Sequence, residues 1–89
     1  MHVQLGGMRA YLLAEVYPGK EKEFLKKAKS FPAMVSVDLV HGAFDMVMLL
    51  DGDLKTIDET IMKVRSLQGI RRTETLLGFE KFPIPSSTG

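Results

Sequence analysis

The sequence predicts an α+β domain of order βαββαβ, in which an antiparallel four-stranded sheet carries two helices on one face. Three observations lead there. Apolar residues repeat at strand spacing in four segments and at helical spacing in two. Apart from Gly78, the glycines and prolines fall between or outside those segments. The first and third strand segments are apolar on both faces, which marks them as the central pair of the sheet.

The elements follow in order. Arg9 to Val16 puts Ala10, Leu12, Ala14 and Val16 on one face of a strand and Tyr11, Leu13 and Glu15 on the other, and Tyr17-Pro18-Gly19 closes it. From Lys20 the period becomes helical: Phe24, Leu25, Ala28 and Phe31 share a face, lysines and glutamates fill the rest, and Pro32 ends the helix. Met34 to His41 alternates Val35, Val37 and Leu39 against Ser36, Asp38 and Val40, as a half-buried edge strand would. Gly42-Ala43-Phe44-Asp45 turns the chain into Met46 to Leu50, giving a hairpin. Asp53 is placed to cap a helix carrying Leu54, Ile57, Ile61 and Val64, which Gly69 is expected to end in the left-handed conformation. Ile70 to Phe82 reads as a long last strand, with Arg71, Thr73, Thr75 and Leu77 on one face and Ile70, Arg72, Glu74 and Leu76 on the other. Residues 1–7 are expected to be a flexible extension, and residues 83–89 a proline-broken tail.

Two right-handed βαβ crossovers interleave into one sheet, which is the ferredoxin-like arrangement. A faint internal echo at one constant offset pairs Leu13 with Leu49, Leu25 with Ile61 and Lys27 with Lys63, in keeping with two βαβ halves. Two helices cover one face only. Leaving the other face of the central strands in water would forgo several kcal/mol at about 25 cal/mol per Å², so sheet-to-sheet dimerisation is expected.

Composition narrows the function. A chain of 89 residues is too short for two ordinary domains. Twelve Lys plus Arg against 11 Asp plus Glu give a net charge of +1, without the strong basic field of an autonomous nucleic-acid binder, and the aromatic signature of an RNA-binding βαββαβ domain is missing. With 0 Cys there is no thiol chemistry and no thiolate metal site, which suits a reducing cytoplasm. The apolar run Ala43 to Leu50 is interrupted by Asp45 and falls far below the roughly 18 to 20 residues a membrane span needs. No zinc spacing, phosphate loop or dinucleotide fingerprint occurs, so no metal or cofactor is expected.

Two segments carry the chemistry. In His41-Gly42-Ala43-Phe44-Asp45 an aromatic residue and a carboxylate follow a glycine at a hairpin turn. Ordinary turn chemistry accounts for this, with a positive φ at Gly42 and Asp45 capping the turn. Alternatively, the turn amides and Asp45 hold the charged ends of a small zwitterion against Phe44. In Gly69-Ile70-Arg71-Arg72-Thr73-Glu74-Thr75, Thr73 and Thr75 are good strand formers that could also donate to a ligand carboxylate. Arg71-Arg72 reads as an interface or solvated pair.

Over about Arg9 to Lys81 the sequence resembles the effector-binding, or RAM, domain of the Lrp/AsnC family. The resemblance rests on Ala14-Glu15-Val16-Tyr17-Pro18-Gly19-Lys20-Glu21, on Gly42-Ala43-Phe44-Asp45 and on Gly69-Ile70-Arg71-Arg72-Thr73-Glu74-Thr75, in that order. It implies a RAM-type domain at residues 8–82 that pairs through its sheets into a dimeric αβ barrel, with dimers assembling into tetramers, octamers or larger rings. It also implies an amino acid or related effector bound where dimers meet, at Gly42, Phe44 and Asp45, with His41, Thr73 and Thr75 as neighbours. His41 departs from the family's small hydroxyl residue and bears on effector preference, while Ala33 replaces a usual glycine and bears on loop shape. Because only residues 1–8 precede the first strand, no helix-turn-helix unit and no direct DNA binding are expected. The expected role is a non-catalytic sensor able to co-assemble with full-length Lrp/AsnC regulators. The alternative is a small dimeric αβ-barrel enzyme of the cofactor-independent monooxygenase or isomerase type, with His41 and Asp45 as acid and base and a pocket between sheet and helices.

Overall fold

A computed structural model describes residues 7–85 of the chain. The order is β1 (Met8–Val16), α1 (Glu21–Ala28), β2 (Met34–Leu39), β3 (Met46–Gly52), α2 (Leu54–Arg65) and β4 (Ile70–Gly78). The strands lie β2-β3-β1-β4, every neighbouring pair antiparallel, which is the ferredoxin-like sheet with β1 and β3 at its centre. Most of the expected extension and tail, residues 1–6 and 86–89, lies outside the described residues, and so does His2.

Strand alternation divides the sheet into two unlike faces. Ala10, Leu12, Ala14 and Val16 of β1 and Met46, Met48 and Leu50 of β3 are buried under the helices. Phe24 and Ala28 of α1 and Ile57 and Val64 of α2 close over them. Phe24 meets Phe31 edge-on, with ring centroids 6.5 Å apart. Thr60 is buried in this core. Its hydroxyl donates to the Thr56 carbonyl at 2.9 Å and accepts from the Ala33 amide at 3.4 Å, which removes the cost of burying it. Leu54, on the expected apolar stripe, is instead 53% exposed in the first turn of α2.

On the opposite face, Tyr11 stands across from Leu49 and Leu13 from Val47, and Leu76 of β4 flanks Tyr11. Tyr11, Leu13, Val47 and Leu49 are half-buried by one another, and Leu76 is exposed. Arg9, Glu15, Arg72 and Glu74 from β1 and β4, with Asp38 from β2, share this face and edge the apolar centre.

Several ends differ from the sequence reading. Helix α1 stops at Ala28, before Phe31, because the chain tightens into turns in which the Phe31 amide bonds Ala28 and the Met34 amide bonds Phe31. Strand β2 ends at Leu39 rather than His41, where the chain peels off into the turn. Helix α2 ends at Arg65 with Ser66 in a right-handed cap, and Gly69 does not take a positive φ. Gly69 is needed small for another reason: a Cβ there would come within 2.8 Å of the Lys20 Cβ. Strand β4 stops at Gly78, opposite Arg9, rather than at Phe82, and Phe79 and Phe82 are exposed.

The N-terminal end of β4 holds the largest departure. Glu15 pairs with Arg72 but Val16 pairs with Ile70, so the register slips by one residue and Arg71 bulges out. The slip moves Ile70 off the face it would share with Arg72 and packs it against the core.

Candidate functional site

The turn after β2 is held by two backbone hydrogen bonds. The Val40 amide donates to the Asp45 carbonyl and the Asp45 amide to the Ala14 carbonyl, both at 2.9 Å, while Gly42 adopts φ +145°. The Asp45 side chain does not cap its own turn. Its Oδ2 accepts from the Val16 amide at 2.8 Å, reaching across to the residue where β1 and β4 slip register.

The bulge turns two consecutive arginines onto one carboxylate. Arg71 donates from Nη1 to Glu15 Oε1, and Arg72 donates from Nε and Nη2 to Oε2 at 3.1 and 2.7 Å. In a regular strand neighbouring side chains point to opposite faces, and only one of the two could do this. These arginines hold the Glu15 carboxyl below its ordinary value, with the Arg72 hydrogen bonds as the main cause. The Arg72 guanidinium also stacks on Phe44, 4.6 Å from the ring centroid, so Phe44 is a platform for Arg72.

Between these groups lies an open cleft of about 500 Å³, walled by Glu15, Val16, Tyr17 and Pro18 on one side and Gly42, Ala43 and Asp45 on the other, with Arg71 at its edge. It carries both signs of charge and several backbone groups, a lining suited to a small zwitterion.

The structure thus brings Gly42 and Asp45 together and sets Phe44 behind them under Arg72. Thr73 opens instead onto a neighbouring cleft of about 270 Å³ with Arg65, Ile70, Arg71 and Arg72. Thr75, paired with Leu12, is exposed on the helix-side face of the edge strand. His41 is exposed and is not among the residues lining the cleft. The space between sheet and helices, where the enzyme alternative would need its pocket, is filled by Leu12, Met46, Met48, Leu50, Ile57 and Val64, each 0% exposed. Sequence reasoning passed over Glu15 and Arg71 as site residues. The signal for them was a single acid in the otherwise uncharged run Ala10 to Val16 and a consecutive arginine pair at the start of the strand that joins it.

No family model and no curated protein matches the sequence. Solved structures do. The fold superposes on a protein from Thermus thermophilus with a TM-score of 0.78 and 28% identity, covering 86% of this chain and 99% of that one. AsnC of E. coli gives a TM-score of 0.80 at 14% identity, covering 97% of this chain and 62% of AsnC. The chain carries the ferredoxin-like fold of Lrp/AsnC-type domains. The same fold occurs in the transcriptional regulator NMB0573 from Neisseria meningitidis, solved as a complex with L-Met, with a TM-score of 0.78 and 13% identity over 100% of this chain and 65% of that one. In this Lrp/AsnC-type fold the turn carrying Gly42 and Asp45 and the slipped start of β4 meet at one end of the sheet.

Proposed function

We propose that this chain is a non-catalytic domain that binds an amino acid or a related small zwitterion and works as a homo-oligomer in the cytoplasm, modulating Lrp/AsnC-type transcription regulators by co-assembly. The observation that carries the reading is the cleft itself: the Gly42 to Asp45 turn faces Glu15 and Arg71, so carboxylates and a guanidinium border one small volume. The fold it shares with an L-Met-bound regulator supports the same reading. The exposed sheet face supports the assembly, because Tyr11, Leu13, Val47, Leu49 and Leu76 form one apolar centre edged by charges of both signs, as a self-complementary contact requires.

Isothermal titration of the protein with each of the twenty amino acids tests the binding, and light scattering on a sizing column, with and without the amino-acid mixture, tests the assembly. Binding of one or a few amino acids by an oligomer is the expected result. No heat at millimolar ligand, or a stable monomer, removes the corresponding half of the proposal.

A further inference from the structure

The two arginines that share Glu15 are not equivalent. Arg72 is fixed three ways: Nε and Nη2 both bond Glu15 Oε2, and its flat face rests on Phe44. Arg71 makes one hydrogen bond to Glu15, through Nη1, and its side chain is 62% exposed. A guanidinium has five N–H donors in a planar fork, so most of those on Arg71 have no partner among the described residues. Arg71 also lines the cleft that Gly42 and Asp45 wall, and Arg72 does not. Were Arg71 to swing away, Glu15 would keep Arg72 as counter-ion, so the movement strands no carboxylate.

The bulge at Arg71 is what makes this possible. It costs a regular ladder position, and bulges recur where a side chain must be re-aimed. Here the Val16 amide at the slip is taken by Asp45, so the residue that walls the cleft also holds the distortion that points Arg71 toward it.

We infer that Arg71 binds the carboxylate of the effector, leaving Glu15 to Arg72 when the ligand arrives, while Asp45, through the oxygen not engaged by Val16, faces the ligand's ammonium. This rests on the proposed amino-acid reading and adds the anchoring group. It requires a free carboxylate on the effector, since a fork of charged donors gains most from an anionic acceptor.

The test is a two-by-two titration by calorimetry: wild type and Arg71→Gln, each with the amino acid that wild type binds best and with that amino acid's carboxamide. Either change alone is expected to weaken binding by about tenfold or more, and the two together by no more than the larger single loss, because both remove the same contact. Losses that multiply, or an Arg71→Gln protein that binds as wild type does, overturn the inference and leave the amino-acid reading standing. If wild type binds none of the twenty, both fall. Should Arg71→Gln fail to fold, as judged by circular dichroism, the carboxamide comparison on wild type decides: a loss under about twofold overturns the inference.

Discussion

The Asp45 carboxylate accepts a 2.8 Å hydrogen bond from the Val16 amide, at the residue where β1 slips one place along β4. That contact joins a hairpin turn to an irregularity on a different strand pair. It makes Asp45 a part of the fold as well as a wall of the cleft, so its two roles must be separated by choice of substitution.

Asp45→Ala is expected to destabilise the protein by about 1–3 kcal/mol, the cost of leaving a part-buried amide without its acceptor. The bond is part-buried and borders the open cleft, so water entering there would offset part of the loss and hold it toward the lower end of that range. Asp45→Asn keeps an acceptor and should lose less than half as much. Urea denaturation of both variants checks this, and equal stability of Asp45→Ala and wild type would remove Asp45 from the fold.

Leu12 and Leu13 are sequence neighbours on opposite faces of β1, one fully buried under the helices and the other half-buried on the open face. Leu12→Ala should cost about 2–5 kcal/mol by opening a core cavity. If the open face is an oligomer contact, the loss from Leu13→Ala should depend on protein concentration, because assembly contributes to stability by mass action. Thermal melts over a hundredfold dilution series distinguish the two, and a Leu13→Ala loss that does not vary with dilution speaks against assembly through this face.

Glu15 has a lowered carboxyl value in the folded chain, caused first by its hydrogen bonds from Arg72. A group depressed on folding stabilises above its unfolded value and loses that contribution as pH falls through its folded value. Stability should therefore decline as the pH is lowered past the ordinary glutamate value of 4.5, and Glu15→Gln should flatten that decline. Denaturation midpoints measured from neutral pH down into the acid limb test this, with an unchanged slope in the variant as the contrary result.

Asp53 caps α2 by accepting from the Thr56 amide at 2.8 Å, and hydrogen bonding from Thr56 lowers its carboxyl value. Asp53→Ala is expected to cost about 0.5–2 kcal/mol, and Asp53→Ser much less, because serine retains a capping oxygen. Chemical denaturation followed at the helical dichroism band reports both, and equal losses would show that capping is not the cause.

The order of elements, the two central strands, the buried set on β1 and the cap at Asp53 were all legible in the sequence, because period and capping chemistry are local properties. The Gly42 turn was legible for the same reason, since its φ of +145° suits glycine. The partners of Asp45 and Glu15 were not. Asp45 reads locally as a turn cap, and its amide donor lies on a strand far away in the chain. The arginine pair reads as alternating, with one side chain per face, and the slip that gathers both on Glu15 is invisible to a period-two reading.

By itself, then, the sequence determined the order and type of the strands and helices, though not all their ends, which faces are apolar, and that one sheet face lacks a cover. Periodicity carries that information because each side chain's direction follows from the backbone of its own segment. Only the tertiary structure decided that Val16 and Ile70 pair out of step, that Asp45 holds the slip, and that Arg71 reaches the cleft while Arg72 stacks on Phe44. Those outcomes depend on where separate strands meet, and strand register is settled by packing and hydrogen bonding across the whole sheet.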